Sequence, residues 1–310
     1  MGKEPFLKSL KYGLFYPLAA LFPLPTAYRL ARVWGRLEAR RNPGLVEVVR
    51  RNVQLVLGLS SPCAFLDDIG KKFFEVLSCD EIDAYVPLIH PWQRLRRWVR
   101  VTGEERLLPL VTSKQGVILL TFHIGGGFLL FPYLRSRGVA AHFLSIPLQR
   151  VHELNGRLQY LSGKFRLWSL EQAIGKEVIF VGGSKEKIRR ILRDGGIVVA
   201  LLDVTPEFLG LKEWAEVLFF DRPARFPTGL LSAAAQTHAA IVPFFGRIGD
   251  DMLRYLSFEE PLSVANENDS LRSLVALLEM YIRRHPHEWH HWPAVQAFSA
   301  LAEGAPRKPC

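Results

Sequence analysis

The first apolar stretch of the chain, Leu14 to Leu24, is broken by Pro17 and Pro23, closed by Pro25 and preceded by Lys3, Lys8 and Lys11. A spanning helix needs about 20 consecutive apolar residues, so this shorter, proline-interrupted run predicts a segment lying at a surface. A secretory leader would share the basic start and apolar core. Here, however, Thr26-Ala27-Tyr28 runs into arginines without a small-x-small cleavage site. Arg29, Arg32, Arg36 and Arg40 follow at spacings of three, four and four, which stacks them on one helical face. Leu30, Val33, Trp34 and Leu37 occupy the rest of that helix. A basic amphipathic helix behind an apolar segment predicts an interfacial membrane anchor over residues 1–41. A solvated basic face on an ordinary helix is the plainer alternative.

From about Glu38 to Arg100 the spacing is helical, as in Val46-Val49-Val53-Val56 and Phe73-Phe74-Val76-Leu77, with breaks at 58–62 and between Pro87 and Pro91. The texture then changes. Gly116 to Phe122 is a continuous apolar, β-rich run, as expected of a strand buried on both faces. Val139–Ile146, Ile197–Leu202, Val217–Phe220 and Ile241–Phe245 repeat it, and helical patterns fall near Val151–Leu161, Lys185–Arg193 and Thr228–Thr237. Leu253–Phe258 predicts a further strand and Leu271–Arg284 a closing helix. Strands alternating with helices predict an α/β fold with a mainly parallel central sheet flanked by helices. Residues 42–310 then form a single α/β domain, with a helical lead-in over 42–100 and the α/β core over 101–310.

Composition narrows the partners. The 310 residues are 49% apolar, which excludes a disordered polymer. A formal net charge of +10 calls for an anionic partner: a lipid surface, nucleic acid or an acidic carrier protein. Cys63, Cys79 and Cys310 form no C-x-x-C pair, so neither a disulfide framework nor a zinc knuckle is indicated. The basic, aromatic stretch Trp92–Trp98 lies in no recognisable nucleic-acid module, and a solvated or lipid-facing helix accounts for it.

In such sheets ligands gather at the carboxyl ends of strands. The first strong strand ends in Thr121-Phe122-His123-Ile124-Gly125-Gly126-Gly127-Phe128, which sets an imidazole beside backbone amides. The H-x-G-G-G run suggests the oxyanion loop of esterases, but no G-x-S-x-G nucleophile elbow follows; Gly182-Gly183-Ser184-Lys185-Glu186 lacks the second glycine. His287-Glu288-Trp289-His290-His291 fits the H-E-x-x-H zinc pattern, yet Pro286 and Pro293 bracket it and prevent the long helix that pattern needs. No metal is expected there.

Taken in order, these segments resemble the bacterial lysophospholipid/lipid A biosynthesis (late) acyltransferase family. The likeness runs through the apolar-basic N-terminus, Val101-Thr102-Gly103-Glu104, the GVILLTFH strand and Arg193-Asp194-Gly195-Gly196. It continues in the strand ending at Asp203, Phe219-Phe220-Asp221-Arg222-Pro223-Ala224, Gly229 and Ala239-Ala240-Ile241-Val242-Pro243, and in the closing Pro286–Trp292 segment. The resemblance implies a fatty acyl transfer from a thioester of acyl carrier protein or coenzyme A to a membrane-bound lipid or glycolipid acceptor. It also implies an anionic membrane surface as partner, the cytoplasmic face of the bacterial inner membrane, and no nucleic acid, metal or cofactor. His123 takes the place of the family's general base, and the Gly125, Gly126 and Gly127 amides become candidate oxyanion donors.

One position departs from the family. Its motif is H-x-x-x-x-[D/E], and the residue five beyond His123 is Phe128. Phenylalanine cannot accept the Nδ1–H bond, and in a serine protease replacing the acid by its amide costs about 10⁴ in kcat. Asp203, Glu207 and Glu153 are candidate replacement acids. Arg150, Arg222 and Arg225 are candidate contacts for acceptor phosphate or carrier, with plain surface charge as the alternative. Two other functions share the scaffold: a non-catalytic acyl-chain or lipid-binding protein with Phe128 lining an apolar pocket, and a thioesterase or esterase in which water replaces the acceptor.

Overall fold

A computed structural model describes residues 3–59, 64–148, 157–204 and 213–298. Its centre is a mostly parallel sheet in the order β1-β9-β8-β2-β5-β3-β4, with β10 pairing with β8. The strands are β1 (Val99–Thr102), β2 (Val117–Thr121), β3 (Ala141–Ser145), β4 (Ile179–Phe180), β5 (Ile197–Leu201), β8 (Ala240–Ile248), β9 (Arg254–Phe258) and β10 (Leu262–Ser263). Only β8–β9 and β8–β10 run antiparallel. The unbroken apolar runs are explained by helices on both faces. Val117 and Leu119 of β2, Ile197 and Val199 of β5, and Val242 and Phe244 of β8 point into one buried cluster. Their neighbours Ile118, Leu120, Val198, Ala200, Ile241 and Phe245 point into the other, as a side-chain period of two requires.

One segment read as a sheet strand pairs elsewhere. Of Val217–Phe220, all but the turn residue Phe220 falls in β6 (Trp214–Phe219), which with β7 (Arg222–Pro227) forms a separate antiparallel hairpin. The alternating burial of β6 marks it as a covering ribbon with one wet face.

The helices up to the first strand are α1 (Lys3–Leu10), α2 (Tyr16–Ala19), α3 (Leu24–Arg41), α4 (Pro43–Leu57), α5 (Ala64–Ile82), α6 (Val86–Ile89) and α7 (Trp92–Leu95). Tyr16, Ala27 and Tyr28 of these helices belong to the same buried cluster as Val117 and Leu119. Lys11 is buried between Glu38 at 2.7 Å and Glu81 at 2.6 Å, and Tyr12 donates to Glu81 at 2.6 Å. Tyr28 donates to Asp83 at 2.6 Å, and Arg254 of β9 pairs with that same carboxylate. The basic stripe of α3 is divided. Arg36 meets Glu75 of α5 at 2.7 Å, and Arg32 donates to the Gly249 carbonyl at 3.0 Å, while Arg29 and Arg40 face solvent. Leu14, Leu18, Leu21 and Phe22 remain exposed, and among the described residues no helix is long and apolar enough to cross a membrane.

The later helices are α8 (Glu104–Thr112), α9 (Leu130–Ser136), α10 (Arg157–Ile174), α11 (Lys185–Arg193), α12 (Gly229–Thr237) and α13 (Glu267–Arg284). The helical pattern expected near Val151–Leu161 lies largely outside the described residues, and α10 occupies its end. The closing segment forms a single short turn over Pro286–Glu288 rather than the long helix of a zinc motif.

Candidate active site

His123 follows β2 and Asp203 follows the neighbouring strand β5, so parallel pairing brings their backbones together. The Asp203 carboxylate is fully buried and accepts from three groups. His123 N–H reaches both oxygens at 2.9 and 3.0 Å, His123 Nδ1 lies 2.9 Å from Oδ1, and Trp289 Nε1–H donates to Oδ2 at 2.9 Å. Burial pushes this carboxyl up, but His123, His291 and the Trp289 indole outweigh it and hold the group below its ordinary value. Asp203 therefore stands where an acid must stand to orient the imidazole.

A second ribbon clamps the loop. Ile124 bridges Trp289 in antiparallel fashion, Gly125 N–H donates to the Glu288 carbonyl at 2.8 Å, and His290 N–H donates to the His123 carbonyl at 2.8 Å. Glu288, itself buried, is gripped by Arg247 of β8 at 3.0 Å. This register delivers His291 to the site, with its Nε2 at 2.8 Å from His123 Nδ1. Burial pushes the His291 ring down to about 3, so it is neutral at physiological pH.

His123 and His291 line a cavity of about 630 Å³ above the ends of β3 and β5, between α11 and α12. Its walls are mostly apolar, including Phe143, Ile146, Val181, Ile188 and Leu230, with Lys185 and Arg189 among its polar groups. Such a volume and lining suit an apolar ligand held by few polar contacts. Among the described residues, His123, Asp203 and His291 are the one cluster whose donor atoms, within 4.8 Å of one another, could hold a metal ion. The 2.8 and 2.9 Å separations at Nδ1 are hydrogen-bond lengths and account for the cluster without one. Cys79 offers no rival nucleophile, because burial pushes its thiol up to about 12.

The other sequence candidates fall in different places. Phe128 is buried against Phe131, with the Arg166 guanidinium 5.5 Å from its ring centre, and does not line the cavity. Gly125, Gly126 and Gly127 do not line it either. A Cβ on Gly125 would lie 2.2 Å from the Gly246 carbonyl, and one on Gly126 2.3 Å from Asp80 Oδ1, so close packing calls for glycine at both. Arg222 and Arg225 are exposed on the β6–β7 hairpin and do not line the cavity. Arg150, Glu153 and Glu207 lie outside the described residues. Sequence reasoning missed Trp289 and His291 as site residues. Their signal was the closing segment itself, whose spacing imitates a zinc motif.

Fold and site together define an α/β protein with a carboxylate-supported histidine opening onto an apolar cavity. The chain belongs to the bacterial lipid A biosynthesis acyltransferase family, whose model matches residues 6–292. Membership makes it, in general terms, a lipid A-type acyltransferase. A search of curated protein sequences finds no match.

Proposed function

We propose that the protein moves a fatty acyl group from a thioester of acyl carrier protein or coenzyme A to a membrane-bound lipid or glycolipid acceptor, with His123 as general base. The observation that carries this reading is the His123 imidazole, held at Nδ1 by buried Asp203 at 2.9 Å while its ring lines the apolar cavity. With Nδ1 engaged, Nε2 is the nitrogen left to take the proton of the acceptor hydroxyl. The acceptor oxygen then attacks the thioester carbonyl, the C–S bond breaks, and the imidazolium returns its proton to the departing thiolate. Asp203 stabilises the imidazolium in between, the part the motif acid would play. The cavity receives the acyl chain, each buried methylene contributing about 0.8 kcal/mol.

The acceptor side faces an anionic bilayer, where the protein sits peripherally or through its N-terminal helices. Exposed Leu18, Leu21 and Phe22 lie beside exposed Leu88 and Ile89, because His90 Nε2 is 2.8 Å from the Ala20 carbonyl and 3.1 Å from that of Phe22. An exposed apolar patch of this kind suits interfacial binding. The reading is tested by following a labelled acyl thioester with membrane lipid extract by mass spectrometry. A new acylated lipid made by wild type and lost in His123→Ala is expected. Free fatty acid alone would identify a thioesterase, and binding without any product a non-catalytic acyl-chain carrier.

A further inference from the structure

His123 Nδ1 has one position in the ring plane, filled either by a proton or by a lone pair. Two groups address it: Asp203 Oδ1 at 2.9 Å and His291 Nε2 at 2.8 Å. An ionised carboxylate only accepts, so the proton belongs on His123 Nδ1. His291 Nε2 can then lie this close only by presenting its own lone pair. A neutral ring does so when its proton sits on Nδ1. The placement is not adjustable, since the Ile124–Trp289 bridge and the His290 N–H to His123 carbonyl bond fix the ribbon one residue away.

We propose that His291 is a positioning residue that shares the Nδ1 proton of His123 with Asp203, so that the base is held by two acceptors. One acceptor comes from the sheet and the other from the C-terminal ribbon. The second acceptor keeps the imidazole in the tautomer whose Nε2 is free for substrate, and it supports the imidazolium once a proton has been taken. The catalytic consequence rests on the reading of His123 as base. The proton arrangement does not, and it is measurable in the protein without substrate.

The test pairs two readouts across wild type, His291→Phe, Asp203→Asn and the double variant. The first is the ¹⁵N NMR spectrum of the histidine rings in the substrate-free full chain. The second is kcat with lauroyl-coenzyme A and a lipid A precursor in detergent micelles. The His123 signals are expected to show an Nδ1 proton in wild type and in Asp203→Asn, and mixed tautomers in the double variant. His291→Phe should lower kcat about tenfold with little change in KM, Asp203→Asn by less than about 10⁴, and the double variant by more than the product of the two. His291→Gln, whose amide oxygen accepts, should recover most of the rate and guards against a folding artefact. A His291→Phe protein with unchanged Nδ1 signal and unchanged kcat overturns the proposal, and so does a double variant equal to the product of the singles. If wild type transfers no acyl group while the NMR pattern holds, the transferase reading fails and the shared proton stands.

Discussion

Replacing Trp289 by phenylalanine removes the indole N–H that donates to Asp203 Oδ2 at 2.9 Å and leaves the ring position filled. Both partners are fully buried, so water cannot replace the lost donor. A hydrogen bond to a charged group contributes about 1.5–3 kcal/mol, and the smaller ring forfeits about 1 kcal/mol of packing, giving a destabilisation of about 3 kcal/mol at neutral pH. The hydrogen-bond part is linked to proton binding. Burial pushes the Asp203 carboxyl up, while His123, His291 and Trp289 pull it below its ordinary value of 3.8. A depressed folded value contributes stability that is fully present above the unfolded value and is lost as pH falls through the folded one. The unfolded states of the two proteins are alike, so the gap between wild type and Trp289→Phe should be full at neutral pH, begin to narrow as pH falls through the variant's folded value, and close only below the depressed wild-type value. Urea unfolding at a series of pH values measures it. A gap under about 1 kcal/mol at neutral pH, or one already closed at pH 5, would refute the buried charge-assisted bond.

Three further outcomes follow from the same geometry. Gly126→Ala places a methyl 2.3 Å from Asp80 Oδ1 and 2.9 Å from Arg254 Nη1, so thermal unfolding should show a loss of about 1–3 kcal/mol; an unchanged melting curve would mean that the loop is not tightly seated. Ala233→Phe fills part of the cavity and should move donor preference to shorter chains. Excluding two methylenes costs about 1.6 kcal/mol, or about fifteenfold in the C14-to-C12 rate ratio, and an unaltered ratio would place the acyl chain elsewhere. Leu21→Glu with Phe22→Glu should weaken sedimentation with anionic vesicles and leave turnover of a detergent-dispersed acceptor intact; undiminished vesicle binding would remove this patch from the membrane contact.

The central strands were legible because β2 and β5 are covered on both faces, so every residue of the two runs but Thr121 is apolar and no pairing information is needed to see them. Val217–Phe220 read the same way but pairs outside the sheet, since a short apolar run does not name its partner. The N-terminal segment misled in another respect. Its lysine and arginines looked like a free cationic face, while Lys11, Arg32 and Arg36 turn toward Glu38, Glu81 and Glu75, up to 70 positions away in the chain. His123 was visible from its place at a strand end. Asp203 was visible only as one of three acids, because parallel pairing of β2 with β5 decides which reaches the imidazole. His291 was hidden, since its role depends on the Ile124–Trp289 bridge, a contact 165 residues long in sequence.

On the proposed reading, Asp203 supplies the support that Phe128, at the motif position, cannot. Single-turnover acyl transfer by wild type and Asp203→Asn, with folding verified, addresses it most directly. A loss of about 10² or more in the chemical step, with substrate binding retained, is expected. A folded Asp203→Asn enzyme transferring acyl groups at the wild-type rate would contradict it.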